Sequence, residues 1–229
     1  KLGVDPYSDN IVLRRAVRHL AKVDAAVSLG MKFGGVPGLP YAADLSRTLD
    51  AIYHEDPAVL RERRRKVLAG YGLEPAEIER FSNTLLLGPT RQQLLEEIAR
   101  SLDHVAGRAE LFRHALSLTS EEEVQVFLQS ASLLTHLKPS APLSRLLPGL
   151  RLPAAQLADG QVVVVGAFDS VYWTEDVAGF ERELRAALPP EVMGRALALS
   201  GTISGRARAE LTNLGWTLLE QPVAVLPAP

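Results

Sequence analysis

The sequence predicts two regions of different class: an all-α helical N-terminal region, then a small α/β domain of βαβαβ type whose sheet is mostly parallel with one hairpin strand. Three observations carry this expectation. Apolar residues recur at helical spacing through the first two-thirds of the chain. A proline cluster, KPSAPLSRLLPGLRLP, then interrupts regular structure between Lys138 and Pro153. Beyond it, short runs of Val, Ala and Leu alternate with amphipathic segments. The expected organisation is a helical bundle over 1–138, a Pro-rich linker over 139–153 and an α/β domain over 154–229.

Residues 10–29 place Val12, Leu13, Val17, Leu20, Val23 and Val27 near a 3.6-residue period, with Arg14, Arg15, Arg18 and Lys22 opposite. Asp9 or Asn10 can cap this helix, and GMKFGGVPGLP ends it, because its glycines and prolines cannot continue a helix. A second helix fits Tyr41–Tyr53. Asp56 followed by Pro57 opens a third, stopped by Gly70 or Gly72. Within it Arg61-Glu62-Arg63-Arg64-Arg65-Lys66 is expected to form a solvated face, with Glu62 pairing Lys66 one turn on. Pro75–Phe81 is short. Thr90 with Gln93 has the form of a capping box opening Arg91–His104, a further helix lies near Arg108–Leu116, and Ser120 with Glu123 opens Glu121–Leu137.

After the prolines the period changes. Ala154–Leu157 and the QVVVVGAF stretch are joined by Asp159-Gly160, the signature of a hairpin. Valines without alternation predict a strand buried on both faces. Thr174 caps a helix over 175–188 with Leu184, Ala187 and Leu188 facing inward; RALALSG is a strand; Ser204–Leu214 is a helix closed by Gly215; WTLLE is the last strand. Strand–helix–strand runs of this kind build parallel sheets through right-handed crossovers.

Composition excludes more than it identifies. Of 229 residues 47% are apolar and 23% charged, and the net charge is −2, so neither disorder nor nucleic-acid binding is expected. The absence of cysteine removes disulfides, thiolate catalysis and the common zinc sites. The histidines (His19, His54, His104, His114, His136) show no metal-ligand spacing, and no cofactor is expected. No apolar run is long enough to span a bilayer. The start at Lys1 suggests loss of a tag, a signal peptide or a further domain upstream, and the Arg-over-Lys bias suggests a bacterial protein of the cytoplasm or periplasm. The apolar loop 33–40 is a candidate for peripheral membrane or partner contact.

Two strand ends could carry chemistry, because ligands of open parallel sheets sit outside the carboxyl ends of the strands. Asp169, just past the valine strand, could act as an acid, a base or a metal ligand, whereas Thr174, Glu175 and Asp176 are accounted for as the start of the next helix. Ser200, Gly201, Thr202, Ser204 and Arg206 could hold an anion at a helix N-terminus, although the stretch is neither a P-loop nor a nucleophile elbow. Asp169 with Ser200 superficially resembles the first two motifs of the haloacid-dehalogenase-like phosphatases, and the 196–216 stretch resembles one strand–helix unit of BRCT modules. Val171 stands where the phosphatases need a second aspartate, so no family is assigned. The functional expectation is a binding or interaction protein engaging another protein or itself. The alternative is a hydrolase or transferase acting on a phosphate- or carboxylate-bearing small molecule.

Overall fold

The computed structural model describes residues 57–137 and 142–220. The helices expected at 10–29 and 41–53, the 33–40 loop and the Asp56 cap lie outside them. Seven helices and seven strands are present among the described residues. Those from Arg61 onward belong to one compact unit.

Helix α1 (Pro57–Gly70) ends where Gly72 adopts φ 92°, a left-handed conformation that costs glycine nothing. Helix α2 (Pro75–Asn83) starts with the Glu77 carboxylate accepting the Glu74 N–H at 2.9 Å, a reciprocal cap. Helix α3 spans Pro89–Ser101. Its expected opening at Thr90 is corrected: Gly88 is the N-cap and Pro89 takes the first turn, where a missing N–H costs no hydrogen bond. Helix α4 (Ala109–Ser117) and helix α5 (Glu121–His136) follow. The Ser120 hydroxyl accepts from the Glu123 N–H at 3.1 Å, while Glu123 reaches back to the Thr119 N–H at 2.7 Å. Phe81 and Phe112 meet edge to face at 5.2 Å between α2 and α4, and both are fully buried.

The basic stretch of α1 departs from expectation at one residue. Glu62 and Lys66 do pair on the surface at 3.7 Å, but Arg64 is buried. Its guanidinium donates to the Glu96 carboxylate and to the Gln92 side-chain oxygen, both on α3. Gln92 in turn donates to the carbonyls of Phe81 and Leu87 at 2.9 and 2.8 Å, satisfying one acceptor in the last turn of α2 and one in the α2–α3 connection. Burial raises the Glu96 carboxyl above its ordinary range, against the opposing pull of Arg64.

The sheet comprises β1 (Leu143–Leu146), β2 (Ala154–Leu157), β3 (Val162–Gly166), β5 (Arg195–Leu199) and β7 (Trp216–Glu220), in the order β1-β2-β3-β5-β7. The first two pairings are antiparallel; β3–β5 and β5–β7 are parallel. The hairpin turn is as expected, with Gly160 at φ 84° and the Asp159 carboxylate accepting the Gln161 N–H at 3.0 Å. The stretch expected as a linker carries β1, which extends the sheet beyond the hairpin; β2 alone runs opposite to the other four strands. Proline forbids helix there but not an extended strand beginning just after Pro142. The outer edge of β1 is not open: the Ala106 N–H donates to the Ser144 carbonyl and its own carbonyl accepts from the Leu146 N–H, each at 2.9 Å.

Helix α6 (Glu175–Ala187) joins β3 to β5, and helix α7 (Gly205–Asn213) joins β5 to β7. Side chains alternate along a strand, so Val162 and Val164 share one face with Leu197 and Leu199. That face clusters with Leu184 and Leu188 after the α6 turns, and with Leu211 and Trp216. Helix α5 packs against β3. On α6, Leu184 and Leu188 are buried as expected, but Ala187 is exposed and Glu181 is buried in its place.

Candidate functional site

The C-terminal ends of β3 and β5 lie side by side, since Gly166 pairs with Leu199, and the two candidate loops therefore share one edge. The structure brings them closer than the sequence suggests. Ser170–Val171 (β4) and Thr202–Ile203 (β6) form a second, two-stranded parallel sheet. Along this seam the Ser200 hydroxyl donates to the Phe168 carbonyl at 3.2 Å, and the Thr202 N–H donates to the Asp169 carbonyl at 3.0 Å. The Ser204 N–H donates to the Val171 carbonyl at 3.0 Å. Gly201 is required by this approach: an added Cβ would lie 2.1 Å from the Asp169 carbonyl oxygen. From the other side the buried Ser130 hydroxyl of α5 accepts the Ala167 N–H at 2.9 Å and fixes where the loop leaves β3.

Of the groups expected to hold an anion, the Ser200 hydroxyl and the Thr202 and Ser204 N–H groups are thus engaged with protein acceptors. The Ile203 N–H donates to the Glu220 carboxylate at 2.9 Å, and the Ser204 hydroxyl caps α7 by accepting from Ala207 at 3.3 Å. Glu220 also pairs with Arg208, which with the Ile203 N–H holds its carboxyl below the ordinary range, so a negative charge already occupies this edge. Arg206 is exposed. The Asp169 side chain is exposed, and no donor among the described residues pairs with its carboxylate. What Asp169 contributes to the seam is its main-chain carbonyl. Thr174 caps α6 by accepting the Val177 N–H at 3.2 Å, and Trp173 packs against the core cluster.

Beside the seam lies a cavity of about 420 Å³, bounded by the 168–172 loop, the inner side of α6, and Leu197, Leu199, Leu211 and Trp216. Its one deeply buried charge is Glu181, 4% exposed. The Glu181 Oε1 accepts from the Trp216 indole N–H at 2.9 Å and from Arg185 Nε at 3.1 Å. Arg151 stands at the entrance, its guanidinium 5.4 Å from the Phe180 ring centre and 3.6 Å from Glu183. Leu152, Phe168 and Phe180 also line a second cavity of about 680 Å³, which extends to His114 and Phe127. No cluster that could hold a metal is present among the described residues.

His114 is a residue the sequence did not single out. Its ring stacks on Phe127 at 4.5 Å, and desolvation pushes its pKa down from 6.5 to about 4, outweighing the opposite pull of Glu123. A histidine held neutral in the folded state stabilises fully above its unfolded value and progressively less as pH falls below it. Wild-type stability is therefore expected to drop between pH 6.5 and about 4 by as much as about 3 kcal/mol through this group. In urea titrations at pH 7 and 4.5, His114→Leu should flatten that part of the profile; an unchanged slope would mean that His114 is not the group responsible.

The fold and this edge define a mixed α/β protein with an apolar cavity at its strand ends. No protein-family model, curated protein or solved structure matches the chain. No helix among the described residues is long and apolar enough to cross a membrane.

Proposed function

We propose that this chain is a binding or interaction protein that engages another protein or a second copy of itself, and that it performs no chemistry at its strand ends. The observation that supports this reading is the use to which the strand-end donors are put. Backbone N–H groups and hydroxyls that could receive a substrate instead join the 168–171 and 200–204 loops, and Glu220 adds a carboxylate at that edge. Tyr172, 66% exposed on the same loop, offers an aromatic contact of the kind enriched in interfaces. Native mass measurement and affinity capture test the reading; a strictly monomeric protein that retains no partner would count against it.

The rival is a hydrolase or transferase for an anionic small molecule. It is favoured by one feature: Asp169 is exposed on its loop and Arg206 is exposed in the first turn of α7 at this edge. Asp169→Ala separates the two. As an interaction protein, the variant should keep its unfolding free energy to within about 0.5 kcal/mol and show no lost activity on generic phosphatase and esterase substrates. A hydrolysis present in the wild type and abolished by Asp169→Ala would replace the proposal.

A further inference from the structure

We infer that the 420 Å³ cavity beneath α6 is a small-molecule site, and that its ligand is a compact aromatic amine whose ammonium group is received by Glu181. Size comes first. Ligand pockets run from about 300 to 1,000 Å³, mostly apolar with a few fixed polar groups, and this cavity has that make-up. Phe168, Phe180 and Trp216 contribute aromatic surface to the cavity. Ring faces favour both an aromatic body and a nearby cation.

Charge then selects the class. Glu181 is buried on the α6 wall, and both donors it meets, Trp216 Nε1 and Arg185 Nε, reach the same oxygen, Oε1. No donor among the described residues pairs with Oε2. Solvent reaches Oε2, which is not among the buried atoms left without a partner, so an incoming ammonium replaces water there with a charge-assisted hydrogen bond. The second acid of the lining, Asp176, has the same sign. The single cation, Arg151, is already drawn to Glu183 outside. An anionic ligand would meet two carboxylates and no free cation of the lining; an ammonium meets complementary charge.

This site is independent of a protein partner, and the two can fail separately. Calorimetry on the full chain with 2-phenylethylamine, its uncharged analogue 2-phenylethanol and the anion phenylacetate reads the preference directly. The amine should bind one to one, at least about tenfold tighter than phenylacetate, with the alcohol between them. Glu181→Gln keeps an acceptor for Trp216 and should bring the amine down to the affinity of the alcohol. Leu197→Trp should abolish binding of all three by filling the space. Val177→Phe, at a half-buried position of the lining, does the same work if the first variant does not fold. Absence of amine binding at millimolar concentration would overturn the inference. So would equal affinity for phenylacetate, or amine binding that survives the filled cavity.

Discussion

Replacing Arg64 with alanine should lower stability by about 4 kcal/mol, the cost of leaving a buried carboxylate and a buried amide without their shared partner. The loss divides between two groups. Glu96 keeps its burial but loses the guanidinium that opposes it, and Gln92 loses the donor to its oxygen while still bridging the Phe81 and Leu87 carbonyls. Desolvation already raises the Glu96 carboxyl, so in the variant it rises further. An acid with a raised folded pKa destabilises when it must ionise, and that penalty appears as pH rises from the unfolded value through the folded one. The deficit of Arg64→Ala should accordingly be smaller at pH 5 than at pH 7 in guanidinium titrations. Adding Glu96→Gln should recover part of it at neutral pH and remove the pH dependence. A single variant within about 1 kcal/mol of wild type would show that the network contributes little.

Gly201→Ala should be nearly as severe, at about 3 kcal/mol or more, because the added carbon meets backbone and not a movable side chain. The obstructing atoms are the Asp169 carbonyl oxygen and carbon at 2.1 and 2.5 Å, and the Phe168 carbonyl oxygen at 2.5 Å. Relief requires the 168–171 loop to part from 200–204, which breaks the β4–β6 pairing and the Ser200 hydroxyl bond. Amide exchange at Thr202 and Ser204 should therefore accelerate well beyond any global effect. Gly205→Ala is the control. Nothing lies within 4 Å of its added carbon at the start of α7, and it should be neutral or mildly stabilising. Equal behaviour of the two variants would refute the close approach.

What the sequence made legible was local. Thr174 and Ser204 announce helix starts because a hydroxyl three residues before a free N–H needs no distant partner. The Asp159-Gly160 turn and the glycines at 72 and 215 are equally self-contained. Thr90 misled because Pro89 beside it takes the first turn more cheaply. The helical period of α6 reaches position 181 as readily as 187. A glutamate is not expected inside, yet the Trp216 indole, 35 residues away, supplies the donor that makes its burial possible. Arg64 was hidden for the same reason: four cations in a row look alike until Gln92 and Glu96 arrive from another helix. The β4–β6 seam was out of reach altogether, since strands of two residues carry no pattern. Nothing in the sequence indicates that Gly201 lets the two loops touch.

The Ala106 backbone at the edge of β1 has a consequence for how the molecule comes apart. That residue sits in the α3–α4 connection, yet both of its main-chain groups are hydrogen-bonded into the sheet, and Ser130 of α5 holds the far end of β3. The helices therefore cannot melt without exposing unpaired groups of β1, and the sheet cannot open without orphaning Ala106. Among the described residues these bonds tie the α3–α4 connection and α5 to the sheet, so that loosening one part exposes polar groups of the other. Pro142 leads directly into β1, and through β1 a single calorimetric unfolding transition is the expected result.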